Sequence, residues 1–400
     1  MIMATDNKNK VLNVPNLRFP EFTEEWRKYK VSDVLDFYST NSLSWEQLDY
    51  DNEDLYNLHY GLIHVGLPIL VDIGQNKLPG IKTECKPKNF ELCKEGDVVF
   101  ADASEDTNDV AKAIEFVNLN NQKTVCGLHT IHGRDNKHLT VLGYKGYAFA
   151  SPLFHNQIRR IAQGTKIYSI SSKNFAECYI GIPSKDEQSK IARLLALIDS
   201  RIATQNKIIE DLKKLKVAIR DKQLNAIRKH YGLNYQICDL LDYEQPTKYV
   251  VTDTEYSEDR SKTPVLTANK AFILGYTDEN FGVYDNGACI ILDDFTLDCK
   301  YVDFPFKVKS SAIKILTVKN SYSLRYVYEY LNYLNLETTE HKRHYISEIE
   351  PMMIAYPTDK KKIDDFNNMM SSLESKIEIE NKYLQSLLAQ KSYLLSNMFI

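Results

Sequence analysis

Cys126, His129 and His132 stand three residues apart, a spacing at which a thiolate and two imidazoles can converge on a zinc ion. A fourth ligand at matching spacing is missing, so no metal is expected. Asp102, Glu105, Asp106 and Asp109 form an acidic group, but no partner base follows at nuclease-like spacing, and a turn is the better reading. The chain has no Gly-x-x-x-x-Gly-Lys-Ser/Thr loop for nucleotide hydrolysis. It also lacks a Gly-rich cofactor loop and an Asn/Asp-Pro-Pro-aromatic element, both of which a methyltransferase would need. No residue set here is expected to catalyse a reaction alone, and no cofactor is expected on this chain.

The residues that remain suit phosphate and base contacts. Lys77, Lys82, Lys86 and Lys88 lie in a loop-like stretch from Asp72 to Asn89 that also carries Gly74, Pro79, Gly80 and Pro87. Arg134, Arg159 and Arg160 follow in the same half. In the second half, Lys300-Tyr-Val-Asp-Phe-Pro-Phe-Lys-Val-Lys309 interleaves aromatic residues with Lys300, Lys307 and Lys309, and His341-Lys-Arg-His344 adds Arg343 and His344. Lysines hold phosphates while planar or hydrogen-bonding side chains reach base edges. The competing reading makes the aromatics core and the lysines ordinary surface. A net charge of -4 does not advertise a nucleic-acid binder, but local basic surfaces matter more than the total. From Gln205 to Lys229 the local balance is +5.

Two long helices must position these groups. Slots 191, 195, 198, 202, 205, 209, 212, 216, 219 and 223 alternate steps of four and three, the spacing of a coiled-coil seam. They hold Ile191, Leu195, Ile198, Ile202, Gln205, Ile209, Leu212, Lys216, Ile219 and Gln223. Adding 175 gives Phe366, Met370, Leu373, Ile377, Glu380, Leu384, Leu387, Lys391, Leu394 and Met398. The polar interruptions match as well as the apolar slots. Each helix starts just after a proline, Pro183 or Pro357, with Ser184 and Glu187 at capping-box spacing and Thr358 or Asp359 able to cap the second.

A second repeat marks the start of each half. Tyr29-Lys-Val-Ser-Asp-Val-Leu-Asp-Phe37 lies over Tyr235-Gln-Ile-Cys-Asp-Leu-Leu-Asp-Tyr243 at an offset of 206, so the first globular unit carries about 31 more residues than the second. The chain reads as residues 1–183 a first globular unit, 184–230 a central helix, 231–357 a second globular unit and 358–400 a C-terminal helix. The class is α/β (α+β), with Glu95-Gly-Asp-Val-Val-Phe-Ala101 reading as a turn feeding a buried strand and Cys289-Ile-Ile-Leu292 and Ala312-Ile-Lys-Ile-Leu-Thr-Val318 as strands. Helices of about 45 residues reach about 65 Å. An antiparallel pair with a pseudo-two-fold is the simplest outcome, and it would act as a ruler between two DNA contacts. Shortening one helix by four residues should then change the spacer of the recognised site.

Seven cysteines without a Cys-x-x-Cys pair fit a reducing compartment. No apolar run reaches the roughly 18 residues of a membrane span, and the first ten residues lack a signal-peptide core, so a cytoplasmic location is expected.

As a set, several segments resemble the specificity subunit of type I restriction-modification systems. These are Val14-Pro-Asn-Leu-Arg-Phe-Pro20 with Trp26, and Ile180-Gly-Ile-Pro183 followed by Glu187-Gln188, Ile191 and Ile198-Asp199. Glu95-Gly-Asp-Val-Val-Phe-Ala-Asp-Ala-Ser-Glu-Asp106 and Asp294-Phe-Thr with Lys300 to Lys307 are similar to variants of that family's target recognition domains. The second junction, Tyr356-Pro-Thr-Asp-Lys-Lys-Lys362, lacks the Glu-Gln pair. The resemblance implies a non-catalytic subunit whose two domains each read half of a bipartite site on double-stranded DNA. It implies two docked modification subunits that carry S-adenosylmethionine for N6-adenine methylation, and restriction subunits that use ATP and Mg. The rival reading is a coiled-coil scaffold with two protein-binding domains.

Overall fold

The computed structural model describes residues 13–269, 271–338, 340 and 342–400. The ten-residue start and His341 therefore lie outside the described residues. Two helices are long, Lys185–Tyr231 and Lys360–Asn397. The chain forms two compact units: the described residues up to Asn206 with Tyr383–Ile400, and Lys207–Lys382. Residues of both long helices fall in each unit, and the helices themselves lie where the segments 184–230 and 358–400 were expected.

The first unit is built on a five-stranded sheet in the order Asp36–Tyr38, Thr130–Arg134, Val98–Ala101, Ala113–Asn118, Leu70–Asp72. Only the last pairing is parallel. Val98–Ala101 is buried throughout, as its continuous apolar run requires, and Gly96 turns the chain into it at a φ of +85° that favours glycine. Thr124–Cys126, Tyr56–Leu58, Gly80–Ile81 and Leu48–Asp49 form a second sheet. In the second unit the main sheet runs Leu241–Glu244, Ile313–Val318, Cys289–Asp293, Cys299–Val302, and Ile273–Thr277, Thr263–Leu266 and Lys307–Val308 form a smaller one.

The repeat seen in the sequence is a repeat of structure. Arg27–Lys30, a turn of helix at Val31–Val34 and Asp36–Tyr38 have their counterparts in Tyr235–Gln236, Ile237–Leu240 and Leu241–Glu244. In each unit the opening strand pairs antiparallel with the strand that feeds a long helix: Tyr29 opposite Ile180, and Tyr235 opposite Ile354. A buried tyrosine hydroxyl then donates to a carbonyl beside that strand, Tyr144 to Gly181 at 2.7 Å and Tyr326 to Ala355 at 2.6 Å.

The junction motif has a physical reason. Ser184 Oγ accepts from the Glu187 amide, but the Glu187 carboxylate does not complete a capping box. It takes the Arg18 guanidinium bidentately, at 2.7 Å to each oxygen. Gln188 is fully buried and holds the Leu139 and Pro183 carbonyls and the Val141 amide. Gly181 is required by close approach, because a Cβ there would stand 2.4 Å from Ile400.

In the first unit the start of the first long helix runs antiparallel to the end of the second; in the second unit its end runs antiparallel to the start of the second. Lys391 pairs with Asp199 at 2.5 Å in the first, and Lys216 lies 3.7 Å from Glu374 in the second. Lys216 and Lys391, like Asp199 and Glu374, are 175 residues apart. The matched lysines thus each face the carboxylate at the matched position, and Lys216 makes its shorter contact, 2.9 Å, with Glu329. None of the twelve apolar seam residues from the sequence reading is exposed, Ile202, Leu212, Leu373, Ile377 and Leu384 being half-buried and the others buried. Ile191, Leu195 and Ile198 enter the core of the first unit, and Phe366 and Met370 that of the second.

Candidate nucleic-acid interface

In the first unit the basic loop lies beside an aromatic surface. Ser44 and Gln47 close a turn of 3-10 helix at Trp45–Gln47, which leaves Trp45 45% exposed. The His59 ring lies 4.4 Å from Trp45 and 4.7 Å from Tyr60, and Tyr60 lies 5.2 Å from His129. His129 Nδ1 is 3.1 Å from Asp102, and burial holds the His59 imidazole below its ordinary pKa, so it stays a neutral hydrogen-bonding group near pH 7. Lys82 donates to the Glu46 carbonyl at 2.6 Å, next to Trp45, and Lys77 sits 5.9 Å over the half-exposed Tyr50 ring.

Lys77, Lys86 and Lys88 are exposed, and Lys86 and Lys88 have no ion-pair partner among the described residues. Such a surface offers cations for phosphates and flat faces for bases. Trp45, Tyr50 and Tyr60 were missed by the sequence reading. Ser44 and Gln47, at capping-box spacing, are the signal that would have turned Trp45 outward.

Arg159 and Arg160 are both exposed on the helix Pro152–Ile161. Arg159 is already engaged by Asn108 at 2.6 Å and by Asn156, which leaves Arg160 the freer of the two. The acidic run ends in the expected turn, where Asp106 accepts from the Asn108 amide at 2.9 Å.

Arg134 is a correction. It is only 7% exposed, gripping Asp97 through two bonds of 2.8 Å and reaching Glu91 and the Leu92 carbonyl, each at 2.8 Å. The hydrogen-bonded Asp97 carboxylate pushes its pKa up, and the guanidinium stacks 4.3 Å over Tyr38. Every face of that group is used internally.

The second unit brings two further corrections. Lys307 is fully buried under Phe281, with its ammonium 2.8 Å from both Glu279 and the Phe281 carbonyl. Burial pushes the Glu279 carboxyl up, but Lys307, Thr252 and two backbone amides outweigh it and bring it down to about 2. His344 is 2% exposed, its ring nitrogens taken by Glu348 at 2.9 Å and by Thr338 and the Glu340 carbonyl. The hydrogen bond to the Glu340 carbonyl, with Glu348, raises its pKa. The aromatic-lysine run from Lys300 to Lys309 spans the end of strand Cys299–Val302, a link and strand Lys307–Val308, with Phe306 buried in the core. Lys300 remains half-buried, while Lys309 and Arg343 are exposed with no ion-pair partner among the described residues.

These features define a class: an internally repeated α+β protein that sets a different basic loop system on each copy of one scaffold. Residues 23–214, just under half of the chain, match the family described as type I restriction modification DNA specificity domain. A segment of 125 residues is 48% identical to the type I restriction enzyme EcoR124I/EcoR124II specificity subunit of Escherichia coli, covering 30% of this chain and 31% of that subunit. The matched stretch thus spans under a third of that relative. The fold is similar to the type I restriction-modification S subunit from M. genitalium, with a TM-score of 0.57 and 17% identity over 97% of this chain and 99% of that one. It is also similar to a chain from a structural study of complex assembly and conformational transition in the type I R-M system, with a TM-score of 0.52 and 12% identity over 92% of this chain and 96% of that one. No helix among the described residues is long and apolar enough to cross a membrane.

Proposed function

We propose that the chain is the sequence-reading subunit of a type I restriction-modification complex in the cytoplasm, each unit reading one half of a bipartite site on double-stranded DNA. The observation that carries this reading is one scaffold built twice, down to the Lys391–Asp199 and Lys216–Glu374 pairs, with exposed basic residues on unlike segments of the two copies. A reader of two different half-sites needs that combination. In the first unit Lys77, Lys86, Lys88 and Arg160 serve as phosphate contacts beside Trp45 and Tyr50. In the second, Lys300, Lys309 and Arg343 take that part.

On this reading the chain is not itself the enzyme. Two modification subunits dock along the long helices, bring S-adenosylmethionine and methylate adenine at N6. Restriction subunits supply the ATP- and Mg-dependent steps, and the helices set the spacer between half-sites.

The deciding experiment is a single-molecule map of N6-methyladenine in the host genome with the gene intact and deleted. Loss of methylation at one split motif is expected. Retention of all methylation, together with failure of the purified chain to hold on heparin at moderate salt, would instead favour the protein-binding scaffold.

A further inference from the structure

The structure gathers a set of potential metal ligands that differs from the one the linear spacing offered. Cys126 and His132 converge, but their third companion is Cys93, while His129 points to Asp102. One ligand atom from each of Cys93, Cys126 and His132 lies within 4.8 Å of the other two, and the two sulfurs are 3.5 Å apart. All three residues are buried, at 6%, 1% and 1% exposure. Two thiolates at about 2.3 Å from a tetrahedral zinc stand about 3.8 Å apart, within a few tenths of an ångström of what is found.

His132 supplies an independent pointer. Its Nε2 is 2.7 Å from Asp97 Oδ2, whereas its Nδ1 is buried with no hydrogen-bond partner. A buried polar atom without a partner is costly, and a carboxylate on one imidazole nitrogen is the usual companion of a metal on the other. Asp97 is itself fixed by Arg134, which also holds the carbonyl of Leu92 beside Cys93. The buried Arg134 thus orients the outer shell of this cluster.

We propose that Cys93, Cys126 and His132 bind a thiophilic divalent cation, Zn²⁺, as a structural site in the first unit. Each thiol gives its proton to solvent, so two thiolates and the dication form a neutral group that the apolar interior can hold. The neutral imidazole adds a lone pair through Nδ1, and a water completes the fourth position. Without the cation, burial and the neighbouring Cys93 push the Cys126 thiol well up. The ion would fasten three segments: the loop before Lys94, strand Thr124–Cys126 of the four-stranded sheet and strand Thr130–Arg134 of the five-stranded sheet. The site stands on the geometry alone and does not depend on the DNA-reading role.

The test uses the full chain, stripped with a chelator and titrated with Co²⁺ and then Zn²⁺. A single equivalent of Co²⁺ is expected, with thiolate-to-cobalt charge-transfer absorption and release of two protons, and Zn²⁺ should bleach that absorption and raise Tm by several degrees. C126S should abolish the absorption, and C238S, which changes a cysteine outside the cluster, should leave it unchanged. If C126S does not fold, the wild-type titration decides alone. Uptake below about a tenth of an equivalent, cobalt bound without thiolate absorption, or unchanged absorption in a folded C126S would each overturn the site. So would a freshly purified chain whose mass shows two hydrogens lost to a Cys93–Cys126 disulfide.

Discussion

The basic residues of this chain divide into those facing solvent and those consumed by the interior, and the two kinds predict different phenotypes. Lys88 is exposed, so K88A should weaken binding to all DNA sequences alike and lower the slope of log K against log salt by about one. An unchanged slope would remove Lys88 from the interface. Arg134→Ala should instead leave the Asp97 and Glu91 carboxylates without their cation and cost about 3 to 5 kcal/mol of stability in denaturant unfolding. Glu279 gives a pH signature. Its folded pKa of about 2 lies below the usual 4.5, so the stability it contributes is present above about pH 4.5 and is lost as pH falls toward 2. The stability gap between wild type and E279Q should narrow across that window in urea titrations, and a gap that is flat with pH would refute the assignment. Linear sequence hid these roles, because a Lys–Glu pair 28 positions apart, such as Lys307 and Glu279, leaves no periodic trace.

At the scale of elements, the helices were the most legible feature because packing imposes a period on them. The seam spacing placed Ile191, Leu195 and Ile198 on the buried face, and the matched Lys216 and Lys391 foretold equivalent surroundings. What the period could not say is that the outer seam slots pack into globular cores as well as against a helix. Leu195 is fully buried in such a core, so Leu195→Ala should cost about 2 to 5 kcal/mol, more than an exposed seam would. The ion pair is testable by charge reversal. K391E or D199K alone should destabilise the first unit, and the double reversal should recover part of the loss, the coupling reading as about 0.5 to 1 kcal/mol for a pair that is partly screened by solvent. Additive losses in that cycle would show that the matched lysines have no shared role. The loops were least legible, since interleaved lysines and aromatics fit both a surface and a core, and in Lys300–Lys309 the core prevailed by burying Phe306 and Lys307.

At the scale of the whole molecule, what matters is how each unit begins and ends. In the second unit the chain enters through Tyr235–Gln236 and leaves through Met353–Ile354, and these strands pair with each other, as Arg27–Lys30 and Tyr179–Ile182 do in the first. Entry and exit are neighbours, so the segment between them can differ in length without moving the points at which it joins the helices, provided that it keeps the apolar face that packs on them, which is how two copies of one scaffold can differ by about 31 residues. The sequence disclosed this only as a pair of offsets, 206 and 175, because short strands paired across more than a hundred residues carry too few side chains to announce their partners. Replacing residues 237–352 with the corresponding segment of a type I specificity subunit should therefore give a folded protein whose methylated motif changes in one half only. Methylation mapping in cells that supply the modification subunits reads both halves at once. A motif altered in both halves would mean that neither unit reads DNA independently, and the division of labour proposed here would fail even though the fold itself is duplicated.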